Sequence, residues 1–265
     1  MSVKLVLSIP DLYAMKQAGE KISCLTVYDA SFSAIIDRVG IELLLVGDSL
    51  GMVIQGANNT ISVTIEQMIY HCRCVTQTRQ RAIVIADLPF LTYSTTEMAL
   101  LNAAKLMQQG GAQMVKLEGA RIEVCQFLVQ QGIPVCGHLG LLPQSIHLLG
   151  GYKIQGQTPE MANQLIHHAK QLQQAGISLL ILECVPATLA KQISEMLTIP
   201  VIGIGAGLYC DGQVLVLYDL LGISVGKRPK FAKDFMKNAE NIEQAIMNYH
   251  LEVKQQLFPT EAHSF

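Results

Sequence analysis

Eight short apolar runs alternate with stretches of helical period, and this alternation most narrows the folds open to the chain. The runs lie at 22–27, 43–46, 83–86, 114–118, 134–138, 179–182, 200–204 and 213–217. Leu43-Leu44-Leu45-Val46 is the plainest of them. With no polar residue at every second position, it reads as a strand buried on both faces, as parallel strands are. Helical sequence fills the intervals. Ser8-Ile9-Pro10-Asp11 supplies a cap, a first-turn proline and an acid three residues after the cap. Thr64 caps a longer helix with Glu66 and Gln67 in its first turn, and Gly19, Gly40 and Gly110-Gly111 act as stops.

Eight strand–helix units predict an α/β protein with a (β/α)8 TIM barrel, for which about 250 residues is typical. A doubly wound open sheet fits less well. The first strand-to-helix turn, Val27-Tyr28-Asp29-Ala30, lacks the glycine fingerprint of a dinucleotide fold. No linker, internal repeat or low-complexity tract interrupts the pattern. Residues 1–265 are therefore expected to form a single barrel domain with an N-terminal helix and a C-terminal helical extension over 242–255. The glycine-rich segment 139–158 is too long for a routine connection and reads as an active-site loop or lid. Residues after Pro259 read as loose.

The 265 residues are 50% hydrophobic and 15% charged, which argues against disorder and for partner subunits covering part of the surface. A formal net charge of -2 without a basic cluster argues against nucleic acid. No apolar run reaches membrane-spanning length, and Met1-Ser2-Val3-Lys4-Leu5 is unlike a signal peptide, so a soluble cytoplasmic protein is expected. Seven scattered cysteines, mostly inside apolar runs, read as reduced core thiols. Cys72 and Cys74 sit two apart on a helix and point in different directions, which speaks against a shared zinc ion.

The chemistry gathers where strands end. The second run ends in Asp48 and Ser49, the third in Asp87, the fourth in Lys116 and Glu118, the fifth in His138 and the sixth in Glu183. Each alone is ordinary cap or turn chemistry. In a barrel, however, the carboxyl ends of the strands converge on one mouth. Three carboxylates without clustered histidine or cysteine suit a hard, oxygen-seeking cation, Mg²⁺ before Zn²⁺. Such a cation could take the keto and carboxylate oxygens of a 2-oxo acid and make the carbon beside the carbonyl acidic.

Lys116 and Glu118 share a strand face. The lysine could neutralise a developing oxyanion or form a Schiff base. Apolar flanks around Glu183 suit a proton acceptor, and His138 suits a further substrate contact. Gly203-Ile204-Gly205-Ala206-Gly207 is similar to barrel phosphate loops but lacks an evident basic partner. It could equally give the backbone room for a bulky planar cofactor.

Seven blocks together carry a family resemblance. They are Val46-Gly47-Asp48-Ser49-Leu50-Gly51, Ala86-Asp87-Leu88-Pro89-Phe90, Met114-Val115-Lys116-Leu117-Glu118-Gly119, Cys136-Gly137-His138-Leu139-Gly140-Leu141 with Pro143-Gln144, Gly150-Gly151-Tyr152-Lys153, Leu182-Glu183-Cys184-Val185-Pro186 and Ile202-Gly203-Ile204-Gly205-Ala206-Gly207. In this order they resemble ketopantoate hydroxymethyltransferase, from about residue 22 to the closing His263-Ser264-Phe265.

The resemblance implies a barrel of the phosphoenolpyruvate/pyruvate type and a homodecamer. It also implies transfer of a one-carbon unit from 5,10-methylenetetrahydrofolate to 3-methyl-2-oxobutanoate, the first committed step of pantothenate biosynthesis. By motif, Asp48, Asp87 and Glu118 would hold Mg²⁺. Asp48, Ser49, Asp87 and Lys116 would contact the oxo acid, and Glu183 would be the catalytic proton acceptor. Two departures stand out, Arg79-Gln80-Arg81 in place of a glycine-containing turn and Ala120 in place of a second glycine. Rival readings are a Mg²⁺-dependent barrel lyase or aldolase on another 2-oxo acid, a Schiff-base aldolase built on Lys116, and a catalytically inactive binding subunit.

Overall fold

Eight parallel strands hydrogen-bond in sequence order and close on themselves as a barrel. They are β1 (Ile22–Thr26), β2 (Leu43–Val46), β3 (Ile83–Asp87), β4 (Met114–Glu118), β5 (Val135–Gly140), β6 (Leu179–Glu183), β7 (Val201–Ile204) and β8 (Gly212–Leu215). The computed structural model describes residues 6–226 and 228–265, so the opening pentapeptide lies outside the described residues. The last strand starts one residue earlier than the sequence predicts, and its expected end turns into a short helix.

Eleven helices lie among the described residues. They are α1 (Ile9–Gln17), α2 (Ala30–Val39), α3 (Leu50–Val53), α4 (Ile65–Thr76), α5 (Thr96–Gln108), α6 (Ile122–Gln130), α7 (Ile146–Leu149), α8 (Pro159–Gln174), α9 (Ala187–Met196), α10 (Leu217–Leu220) and α11 (Ile242–Lys254). The capping signals hold. Thr64 Oγ1 accepts from Gln67 N while Gln67 Oε1 accepts from Thr64 N, which satisfies two otherwise orphaned donors at the start of α4.

Alternate strand positions explain the core. Leu43 and Leu45, Ile83 and Ile85, and Leu179 and Ile181 belong to one buried cluster inside the barrel. The positions between them, Leu44, Val84 and Leu180, belong to a larger cluster shared with the surrounding helices. Both faces of each strand are thus apolar, which is why the runs show no polar alternation. Continuing the inner row along each strand leads from Ile85 to Asp87, from Met114 to Lys116 and Glu118, from Cys136 to His138 and from Ile181 to Glu183. The functional side chains are therefore the uppermost layer of the inner core. At the opposite end, Leu7, Leu12 and Met15 join the same inner cluster, so α1 and its lead-in seal the bottom.

The closing seam is held from outside by α11. The buried Tyr249 hydroxyl lies 2.9 Å from Cys24 O on β1 and 2.8 Å from Gln213 O on β8. Nearby, the buried Glu42 carboxylate accepts from Ser23 N and Oγ, and Lys254 Nζ approaches it to 2.7 Å. The residues beyond Pro259 are not loose. A 3-10 turn spans Glu261–His263, and Phe265 O accepts a hydrogen bond from Ala187 N at 2.9 Å. Polar composition had masked the anchoring done by the single aromatic side chain at position 265.

Candidate active site

At the mouth, β2 to β6 and the turn after β2 deliver every candidate catalytic, metal and oxo-acid residue singled out in the sequence. Asp87 and Lys116 are register partners on β3 and β4, and Lys116 Nζ donates to Asp87 Oδ1 at 2.7 Å. Glu118 and His138 are register partners on β4 and β5. Asp48 follows β2 directly, and its backbone N donates to Asp87 Oδ2 at 3.1 Å. All five side chains are buried. Glu183 caps the inner row of β6 and remains partly open, its side chain 13% exposed.

Electrostatics at this depth are dominated by the shortage of positive charge. Burial and the neighbouring Asp87 charge push the Asp48 carboxyl up to about 7, against the opposing pull of Lys116, Gln144 and Thr60. Burial and the Asp48 charge likewise hold Glu118 well above the usual carboxylate range. For Lys116, burial works to remove the proton, but Asp87, Glu118 and Asp48 outweigh it and keep the ammonium above the ordinary lysine range. A lysine held so firmly charged lacks the free amine that Schiff-base chemistry requires.

His138 lies between two carboxylates. Its Nδ1 is 3.7 Å from Glu118 Oε1 and its Nε2 is 3.3 Å from Glu183 Oε2. Neither ring nitrogen makes a well-aligned hydrogen bond within the protein. Burial lowers its affinity for a proton against the opposing pull of Glu183, which favours the neutral ring, able to donate from one nitrogen. It is suited to pass or orient a proton between substrate and Glu183.

Ser49 stands at the other side of the mouth, half-buried, with Oγ 2.8 Å from the Tyr28 hydroxyl. Tyr28 in turn donates to Thr26 Oγ1 at 2.9 Å. Sequence alone assigned no role to Tyr28 or to Gln144, which closes one of the family-like blocks and knits the carboxylates together. Gln144 Nε2 donates to Asp48 Oδ2 at 2.8 Å and to Leu88 O at 3.0 Å, while its backbone N donates to Glu118 Oε2 at 3.0 Å. Tyr93 Oη donates to Gln144 Oε1. The available signal was the length of segment 139–158. A 3-10 turn over Pro143–Ser145 folds this part of the loop back into the mouth.

Two glycines earn a structural account. Gly140 (φ 95°) ends β5, and a Cβ there would lie 2.1 Å from Glu183 O, so only glycine lets β5 and β6 approach beside the site. Gly205 (φ 59°) faces the rings of Phe231 and Phe265, either of which a Cβ would meet at 3.0 Å. The room at this glycine of the segment after β7 is thus taken by the protein's own aromatic side chains, which speaks against both a phosphate and a planar cofactor at Gly205.

Among the described residues, no three His, Cys, Asp or Glu side chains are gathered tightly enough to cage a cation unaided. Lys116 occupies one oxygen of Asp87, and Gln144 spans Asp48 and Glu118. The donor set is nonetheless all oxygen and rich in uncompensated negative charge, which fits a hard divalent ion that keeps water or ligand oxygens in its shell.

The model of the ketopantoate hydroxymethyltransferase family matches residues 6–261. The chain belongs to that family. Its relatives include the 3-methyl-2-oxobutanoate hydroxymethyltransferase of Nitrosococcus oceani, 54% identical over 255 residues, covering 96% of this chain and 97% of that protein. The enzyme of the same name from Methylococcus capsulatus is 54% identical over 260 residues, covering 97% and 96%. Among solved structures, phosphonopyruvate hydrolase in complex with oxalate and Mg²⁺ aligns with a TM-score of 0.59 at 10% identity, over 78% of this chain and 80% of that one. A 2,3-dimethylmalate lyase, described as a member of the PEP mutase/isocitrate lyase superfamily, aligns with a TM-score of 0.58 at 15% identity, over 82% and 83%. At these identities the likeness concerns the fold alone, and it agrees with the closed α/β barrel.

Proposed function

We propose that this member of the ketopantoate hydroxymethyltransferase family transfers a hydroxymethyl group from 5,10-methylenetetrahydrofolate to 3-methyl-2-oxobutanoate, yielding ketopantoate and tetrahydrofolate. The observation that carries the reading is the convergence of Asp48, Asp87, Lys116 and Glu118 on one buried mouth, with Glu183 beside them. In this reading Asp48, Asp87 and Glu118 hold Mg²⁺. When bound, the cation polarises the keto group of the oxo acid and makes the adjacent C3–H acidic.

The protein's own groups do the rest. Lys116, fixed as an ammonium by Asp87, faces the developing oxygen charge without having to be recruited at the moment of reaction. Ser49 hydrogen-bonds the oxo acid carboxylate, its hydroxyl oriented by Tyr28. Glu183 accepts the C3 proton. His138, 3.3 Å away, steadies the carboxylate and contacts the substrate. The new C–C bond forms as C3 attacks the methylene carbon of the donor, whose two C–N bonds break as water supplies the hydroxyl and the folate nitrogens take up protons. Alternatively, C3 attacks formaldehyde released by the same hydrolysis, whose carbonyl opens to an alkoxide that takes the proton back from Glu183.

The test is proton NMR of 3-methyl-2-oxobutanoate in D₂O with the purified protein. Exchange of the C3 proton that requires Mg²⁺ and disappears with EDTA is the expected result. A protein that leaves this proton untouched under all conditions would refute the reading. Cytoplasmic location and assembly as a homodecamer belong to the same proposal and are checked by fractionation and by light scattering. Among the described residues no helix is long and apolar enough to cross a membrane.

A further inference from the structure

We propose that Phe265 is a positioning residue for Glu183, acting through the turn that joins β6 to α9. The proposal rests on the reading that Glu183 takes the C3 proton. Glu183 is followed at once by Cys184, which adopts φ 49°, a left-handed conformation that a non-glycine residue keeps only when its surroundings enforce it.

Three backbone hydrogen bonds do the enforcing. Cys184 N donates to Ile204 O, Gln155 N donates to Cys184 O, and Ala187 N donates to Phe265 O, each at 2.9 Å. The last satisfies the first amide of α9, whose cap residue is Pro186 and makes no side-chain capping bond.

The ring of Phe265 braces the same turn from another side. It packs with Phe231 against Gly205, the residue that follows the Ile204 carbonyl on which Cys184 hangs. Lys230 fastens the segment in place. Its Nζ donates to Ser264 O at 2.6 Å and lies 4.8 Å from the centroid of the Phe265 ring. A line of contacts therefore runs from the Phe265 ring through Gly205, Ile204 and Cys184 to Glu183. Asp48, Asp87, Lys116 and Glu118 belong to β2–β4 and the turn after β2, outside this line of contacts. Loosening position 265 should misaim the proton acceptor while leaving oxo-acid binding intact, and misplacement of about 1 Å slows a reaction roughly 10²-fold.

The experiment measures C3-proton exchange in D₂O with Mg²⁺ for wild type, Phe265→Ala, Phe265→Leu and Phe265→Tyr. Phe265→Ala is expected to slow the exchange kcat roughly ten- to hundred-fold with KM for the oxo acid unchanged. Phe265→Tyr, which keeps the ring, is expected to restore the wild-type rate. Wild-type exchange in Phe265→Ala overturns the proposal, as does a rise in KM with kcat unchanged, or a tyrosine variant as slow as alanine. Should the alanine variant fail to fold by circular dichroism, Phe265→Leu carries the test, slower exchange supporting the proposal and wild-type exchange overturning it. A wild-type protein without exchange overturns the reading of Glu183 itself, an outcome distinct from all of these.

Discussion

Lys116 Nζ stands 2.7 Å from Asp87 Oδ1, with both side chains buried in the mouth of the barrel. The pair leaves the second oxygen of Asp87 turned toward the Asp48 backbone and the remaining carboxylates without a full counter-charge. One ammonium serves three buried acids, and a divalent cation would complete the balance.

Asp87→Asn is expected to weaken Mg²⁺ and oxo-acid binding together. It also strips Lys116 of its closest partner, and breaking a buried pair in this way costs about 3–5 kcal/mol of folding stability. Calorimetric titration and urea unfolding measure the two effects. Unchanged affinity for both ligands would remove Asp87 from the site.

Glu183→Gln keeps the shape of the side chain and removes its basicity. Oxo-acid and Mg²⁺ binding should be retained, while C3-proton exchange slows by roughly 10²–10⁴-fold, the loss typical of a missing general base. Turnover at the wild-type rate would reject the assigned role.

Gln144→Leu removes the amide that joins Asp48 to Leu88 O. Leaving those buried acceptors unpaired should cost about 1–3 kcal/mol. Loss of a group that orients metal-binding carboxylates should also weaken Mg²⁺ binding by roughly 10–100-fold. Tyr93→Phe, which removes only the donor to Gln144 Oε1, should show the same effects in weaker form. Mg²⁺ titrations that find both variants equal to wild type would mean the amide organises nothing.

The contribution of Asp48 to the stability of the metal-free protein should fall as pH rises. Asp48 in the fold sits at about 7, above the roughly 3.9 of an unfolded aspartate. Its protonated form therefore favours folding, a contribution present below the unfolded value and lost as pH climbs through the folded one. In EDTA, the melting temperature of Asp48→Asn relative to wild type should increase between pH 5 and 8, and saturating Mg²⁺ should shrink that difference. A wild-type advantage that grows with pH in EDTA would contradict the assignment.

The barrel was legible because its strands are apolar on both faces and its helices carry caps such as Thr64 that work locally. The charged site residues were legible for the same reason, since Asp87, Lys116, Glu118, His138 and Glu183 interrupt strands that otherwise contain nothing polar on the inner row. Gln144 was not. It is a neutral amide in a glycine-rich loop, and its importance arises only when a 3-10 turn swings it over the mouth. The ordering of residues 259–265 was equally hidden, because it depends on Gly205 and Ala187, more than fifty residues away in sequence. Local pattern reports what a segment prefers, and these two features are set by contacts made at long range.

The plug formed by Leu7, Leu12 and Met15 sets the traffic of the reaction. With the lower end sealed, both reactants enter and both products leave through one opening. In the proposed reading the oxo acid binds at the depth of Lys116 and Asp87, and the folate donor sits above it at the rim. On that reading it arrives before the folate donor, and ketopantoate departs only after tetrahydrofolate has cleared the way. A barrel closed at one end is in this sense a last-in, first-out device, and its steady-state kinetics should follow a compulsory order.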